Sequence, residues 1–449
     1  MASRNVTLST AVVLRRSFWT GFLRDRRGVV GVALAVLLPV LVGFAGIGIE
    51  VGLWFAVQRQ NQSAADAAAI SAALEYAART ESGVPIDPAA ATAAAATTAN
   101  YNLFSTSPPN TLNVYPCYDY MVGGSCNTSG PPEIPPNAVQ VVLTQPLSTT
   151  FAKLVTAIWG PSVNTVSVTT TAIAALPVAG TACYLALDTS AANAFLVDSG
   201  GTLPNLNCWA ASNSSSGSAL NCNGCTIAGP TTVVGGDAVS NGGQLNGSPN
   251  RTYASAIADP YFGVAAGHIP PGCSVVNGPS INPGHYCSGI QVANKATLTM
   301  APGVYYIDKM FNIQTGATLN APGGVTLIID DPSYCIGDGS CLPGHGIGGT
   351  LKVTAQTTGP FAGIAIFGPR DSSPAIVQEF VAGSQSNIQG AIYFPSQTIQ
   401  FDPNSQLNSS YCTQIIAAQI HIGSSANVGS SCSGTGVKSI PIFQVYLTS

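Results

Sequence analysis

GVVGVALAVLLPVLVGFAGIGI, residues 28–49, holds 22 consecutive positions without a charged side chain. As a helix rising about 1.5 Å per residue it reaches roughly 33 Å, enough for the hydrocarbon core of a bilayer, which is about 30 Å thick. Arg24, Asp25, Arg26 and Arg27 precede it, and Glu50 follows, with no basic residue before Arg59. Basic flanks stay in the cytoplasm, so Arg24, Arg26 and Arg27 orient the N-terminus inward and about 400 residues outward. A cleaved secretory signal is the competing reading, but such segments have apolar cores of only about 7–15 residues. This run instead passes into VGLWFAVQRQNQSAADAAAISAALEYAA, which keeps helical composition with no Gly or Pro after Gly52. An uncleaved anchor is therefore expected, with Pro39 accommodated as a kink inside the membrane.

Charge and composition narrow what the exported part can do. Only 8% of residues are charged, too few for a typical cytosolic enzyme, while the apolar content is too high for disorder. Six arginines and one aspartate lie before Gly28, which leaves nine basic and eighteen acidic residues beyond it. A body this acidic argues against nucleic acid or anionic lipid as its ligand. All twelve cysteines lie on the exported side, which reads as disulfides in an oxidising compartment. Neighbours in sequence suggest Cys117–Cys126, Cys273–Cys287, Cys335–Cys341 and Cys412–Cys432, with Cys183–Cys208 added. Cys222 and Cys225 are left over, with spacing that also suits a redox pair or half a zinc knuckle.

Several pieces around the anchor resemble a known family when taken in order. Arg26-Arg27-Gly28 opens the run, Leu38-Pro39 lies within it, and Gly48-Ile49-Glu50 closes it. Gln58-Arg59-Gln60-Asn61-Gln62 and Ala64-Ala65-Asp66-Ala67-Ala68-Ala69 follow. This is similar to the N-terminal segment of the Flp pilus-assembly TadE/TadG-like family, with Glu50 where Asp is usual and Ile70 where Leu is common. Processed members of that family carry Glu five residues after the glycine, and here that position is Ala33. The resemblance thus implies the TadG-like branch, retained in the membrane. It also implies a non-catalytic role in assembling or anchoring a tight-adherence pilus, by contacts with other assembly components or pilins. The setting would be the inner membrane of a Gram-negative envelope, with the C-terminal region periplasmic or at the cell surface. Glu50, at the outer membrane edge, and Gln62, Ala65 and Asp66, on the juxtamembrane helix, become the candidate partner contacts.

The rest of the chain divides by texture. Residues 1–27 form a cytoplasmic tail, 28–50 a transmembrane helix and 51–78 a juxtamembrane helix whose Leu53, Val57, Ala64 and Ala68 form an apolar stripe. That stripe suits either an ordinary surface helix or a packing face for another helix of its kind. Residues 79–178 read as a small α/β unit. Asp87 and Pro88 open a helix, 105–137 form a loop closed by a disulfide, and Val139–Leu143 and Val163–Leu176 are strands flanking a short helix from Ser148 to Trp159. From residue 179 to 449, short β runs alternate with Gly, Asn, Ser and Pro. Pro-Gly recurs at 283–284, 302–303 and 322–323, Gly284-His285-Tyr286 parallels Gly303-Val304-Tyr305, and Ala296-Thr297-Leu298 parallels Ala317-Thr318-Leu319. Units of near 20 residues predict a parallel β-solenoid, with a Greek-key sandwich as competitor. The expected fold class is therefore mainly β, a C-terminal solenoid behind a small α/β unit and a long N-terminal helix.

Candidate chemistry is sparse. Asp330-Asp331 and Gly344-His345-Gly346 are similar to pieces of polygalacturonases, which need paired carboxylates. The N-T-D and R-x-K pieces are missing, so acidic turn residues at a strand end are the simpler reading. His268, His285, His345 and His421 show no ligand spacing, and no nucleophile elbow or phosphate loop occurs. No catalytic residue, cofactor or metal is expected. A surface adhesin binding cell-envelope polysaccharide stands as the alternative function.

Overall fold

A computed structural model describes residues 28–118, 120, 124–130, 135–153, 164–198, 200–203, 208–329, 331, 333, 335–337, 341, 345–408, 411–423, 432 and 434–448. Arg24, Arg26, Arg27, Asp330 and Gly344 lie outside them, as does the expected helix beyond Lys153. Strand outweighs helix, 39% to 18%, so the chain is mainly β.

Helix α1 runs unbroken from Gly28 to Glu81 with Pro39 inside it, and it changes character along its length. Val32, Leu34, Leu37, Leu38, Leu41 and Phe44 are all more than half exposed although apolar. Beyond Asn61 the helix is buried along Ala64, Ala68, Ala72 and Tyr76 and along Ala65, Ala69, Ala73 and Ala77, two rows of four-residue spacing that share one face. Helix α2, Pro88–Tyr101, presents Ala91, Ala95 and Ala99 to that face. Methyl-sized side chains let the two backbones approach until the Ser71 hydroxyl donates to the Ala94 carbonyl at 3.2 Å. The stripe is thus covered from within the chain, while Leu53 at its membrane end stays exposed. Asp87 caps α2 by accepting from the Ala89 N–H, and Pro88 occupies the first turn.

Strands β1 (Thr111–Cys117), β2 (Ala138–Ser148) and β3 (Thr165–Ala175) form an antiparallel sheet beneath the two helices. Val139, Val141 and Leu143 alternate inward from β2 to meet the alanine rows. A fourth strand comes from the far end of the chain: Tyr446–Thr448 pairs antiparallel with β3, Leu447 opposite Ala174. The small sheet is therefore completed by C-terminal residues.

Strand β4 (Val178–Ala186) leads into a body of short parallel strands. Partners lie 21 residues apart at Ile290 and Phe311, Thr297 and Thr318, Val377 and Thr398, and Thr398 and Gln419. Ala-Thr-Leu at 296–298 and 317–319 marks this register. The Pro-Gly repeat does not, because Gly284 pairs with Tyr305 rather than Gly303. A two-residue slip leaves every side chain on its original face, so hydropathy cannot detect it. Leu, Ile and Val from successive strands fill the interior, and the rings of Phe380 and Phe401, on paired positions, stack at 4.7 Å.

Stacking order does not follow chain order. Along one face the strands run 284–286, 303–307, 325–328, 364–367, the middle of 385–401, 413–422, β4, 209–212, 231–233 and 250–251. The stack starts in its middle at β4, grows outward to Arg251, restarts at the opposite end at Ser280 and grows back until Ile415 pairs with Tyr184. Residues 252–279 form the strap between these ends. Ile257 and Tyr261 cover an apolar outer face with Phe361, Phe367 and Tyr393. Asn213 holds the strap by exchanging two hydrogen bonds with the Ile257 backbone, at 2.7 and 2.8 Å. Arg370 donates to the Val264 and Tyr261 carbonyls from above the Tyr393 ring.

Candidate functional site: the juncture of helix, sheet and body

Of the sequence-predicted contact residues, Glu50 lies where α1 leaves the apolar run, and Gln62, Ala65 and Asp66 lie more than three turns further along the helix. Glu50 is buried, and its two carboxylate oxygens accept from the Thr150 N–H at 2.6 Å and the Ala152 N–H at 2.7 Å. They thereby satisfy otherwise open N–H groups where a helical turn, residues 151–153, begins. One turn towards the apolar run, a Cβ on Gly46 would clash with the Phe151 ring, so glycine permits this close approach. Gln62 donates to Asp66 Oδ1 at 2.8 Å and to the Thr171 carbonyl at 3.1 Å. Asn61, almost fully buried, donates to Gln145 Oε1 at 3.0 Å. Ala65 is wholly buried in the helix–sheet core. Gln62 and Asp66 are thus paired and Ala65 lies in the helix–sheet core, while Glu50 stands more than three turns away along α1; each is engaged by the chain's own sheet or helix.

A second joint lies at the other end of α1, and sequence reasoning missed it. Glu81 is 5% exposed. Its carboxylate accepts from the Phe443 N–H at 2.9 Å and lies 3.6 Å from Arg251 Nη1. Arg251 also donates to the Phe443 carbonyl at 2.8 Å and sits over the Trp209 ring, while the Glu81 carbonyl accepts from the Ala258 N–H at 2.6 Å. Burial pushes the Glu81 carboxyl above the ordinary carboxylate range, opposed by the Phe443 bond and the Arg251 charge. Helix end, outermost strand, strap and returning C-terminal segment all meet at this one residue, the strap at its carbonyl and the others at its carboxylate. The only sequence signal was an isolated acid at the close of an alanine-rich helix.

Every cysteine is paired: Cys117–Cys126, Cys183–Cys208, Cys222–Cys225, Cys273–Cys287, Cys335–Cys341 and Cys412–Cys432. Among the described residues, atoms of His285, Cys287 and Asp308 come within 4.8 Å of one another. The Cys287 sulfur is committed to Cys273, however, which leaves a His285–Asp308 pair at 2.8 Å. Asp331 accepts from the Ser333 backbone N–H, the behaviour of an acidic turn residue. Polar groups also line one face of the body, where Glu379, Gln400 and His421 occupy paired positions on three adjacent strands. Gln400 donates to Asp402 at 2.8 Å, and a cleft of about 170 Å³ opens beside Asp198, Asp402 and His421. Burial lowers the His421 pKa below the ordinary imidazole value, opposed in part by the Asp198 charge.

These features define a mainly β protein carried on one N-terminal helix long and apolar enough to cross a membrane, with mean hydropathy 2.6 over its most apolar window. Residues 28–78 match the Tad family, Flp pilus-assembly TadE/G-like, over the stretch that carries the sequence resemblance. No curated protein and no solved structure matches the chain.

Proposed function

We propose that this chain is a membrane-retained, non-catalytic component of Flp-type pilus assembly that acts through protein–protein contacts. The observation that carries the reading is the Tad match at residues 28–78, which coincides with the helix that is apolar and exposed at one end and built into the fold at the other. Arg24, Arg26 and Arg27 would hold its N-terminus in the cytoplasm, in the inner membrane, with the body periplasmic or at the surface. The body is read as a β-solenoid on the strength of its 21-residue parallel register. With Gln62, Ala65 and Asp66 engaged internally, partners are expected on the exposed face of α1 and on the body. Deleting the gene should abolish or shorten pili in electron micrographs, with restoration by the full chain; a deletion strain with normal pili overturns the reading.

A second reading, binding of cell-envelope polysaccharide, is favoured by the cleft that Asp198, Gln400, Asp402 and His421 line. Glycan-array binding by the full chain in detergent tests it; no glycan retained above the detergent control removes it.

A further inference from the structure

We propose that the base of the small sheet, and not the helix alone, is a lipid-contacting surface, with Phe151 and the groove of Val51, Trp54, Phe55 and Val166 resting in the outer interfacial layer of the bilayer. This rests on reading α1 as the membrane anchor.

Depth is the first argument. Gly46 lies three residues inside the end of the apolar run at Ile49, about 4.5 Å along the axis. Because the Phe151 ring covers Gly46, the β2–β3 connection reaches down to the level of the apolar band. The treatment of charge at that level is the second. Glu50 is the sole acid there among the described residues, and both its oxygens accept from backbone N–H groups, as a carboxylate beside hydrocarbon requires. Continuity is the third. Ile49, Leu53 and Phe55 are 64%, 59% and 61% exposed, which prolongs the bare apolar surface past Glu50 to the polar residues beginning at Gln58. From Val32 to Phe55 that surface spans about 36 Å of helix. This exceeds a hydrocarbon core of about 30 Å and fits within the roughly 40–45 Å that includes the headgroup layers. The excess falls in the zone where aromatic rings settle, and Trp54 and Phe55 stand there with Val51 and Val166 in a groove of about 350 Å³.

Phospholipid is the occupant that these features fit, since the groove is continuous with the membrane-facing surface of the helix. The test uses the full chain in phosphatidylethanolamine–phosphatidylglycerol vesicles containing a tagged phospholipid. The photo-cross-linking residue p-benzoylphenylalanine replaces, in turn, Leu41, Phe55, Phe151 and Tyr253, the last being 84% exposed on the strap. Lipid adducts are expected at Leu41, Phe55 and Phe151 and are lost at Tyr253. Adducts at Leu41 with none at Phe55 and Phe151, or protein adducts there instead, overturn the inference and leave the anchor standing. Absence of adducts at Leu41 as well overturns both. Position 55, already exposed, keeps the test decisive where a change at 151 disturbs its packing.

Discussion

Replacing Glu81 with alanine should loosen the joint between the membrane helix and the β body. The variant leaves the Phe443 N–H without its acceptor, and a buried backbone donor so stranded costs about 1–3 kcal/mol. The ion pair with Arg251 adds little, about 0–1 kcal/mol, because the arginine is a quarter exposed and keeps its bond to the Phe443 carbonyl. Together these place Glu81→Ala about 1–4 kcal/mol below the parent in stability. Glu81→Gln should behave differently. The carboxyl is pushed up by burial, so the site penalises the charge it holds, and a neutral amide oxygen still reaches the Phe443 N–H. Its expected cost is under about 1 kcal/mol. Urea unfolding of the full chain in detergent measures both. The fluorescence signal includes Trp209, whose ring lies 5.9 Å from the Arg251 guanidinium. Hydrogen exchange at the Phe443 amide gives the local readout, faster in Glu81→Ala and near the parent rate in Glu81→Gln. Unchanged exchange and midpoint in Glu81→Ala, or equal losses in the two variants, would refute the reasoning.

Asp237 has one carboxylate oxygen buried without a hydrogen-bond partner, and burial raises its pKa from 3.8 to about 6. A raised folded-state pKa means stability that is present in acid and lost as pH rises between those values. Asp237→Asn should therefore melt above the parent at pH 7, and the difference should shrink by pH 4; a variant less stable at pH 7 contradicts this. The Tyr76 hydroxyl is buried without a partner in the helix–sheet core, and burial pushes its pKa up to about 12. Tyr76→Phe should be neutral or stabilising by up to about 1 kcal/mol in urea titrations, and a clear loss would reveal a hydrogen bond. The Cys183–Cys208 bond links positions 25 residues apart, so the double change Cys183→Ser with Cys208→Ser should cost about 3–4 kcal/mol. Comparing its urea midpoint with the parent checks the figure.

Much was legible from residues acting locally. The 22-residue apolar run needs no partner to declare itself, since hydropathy adds along the chain. The alanine rows of α1 follow helical spacing, and Asp87 with Pro88 marks the start of α2 whatever packs above it. The repeated Ala-Thr-Leu carried the 21-residue register because the same positions face each other on the paired strands. What covers the alanine rows was not legible, for an apolar stripe fits a second copy as well as a sheet from its own chain.

A long apolar helix ahead of a charge-poor, cysteine-rich β chain is written locally, because hydropathy, turn chemistry and composition are properties of neighbouring residues. That the stack begins in its middle and closes when Ile415 meets Tyr184, and that Tyr446–Thr448 returns to the small sheet, emerges from the fold in space. The fold alone placed Phe443 on Glu81, 362 residues away. Contacts at that separation leave no periodic trace: they depend on which buried donor lacks an acceptor once the rest has folded, and that is decided in space.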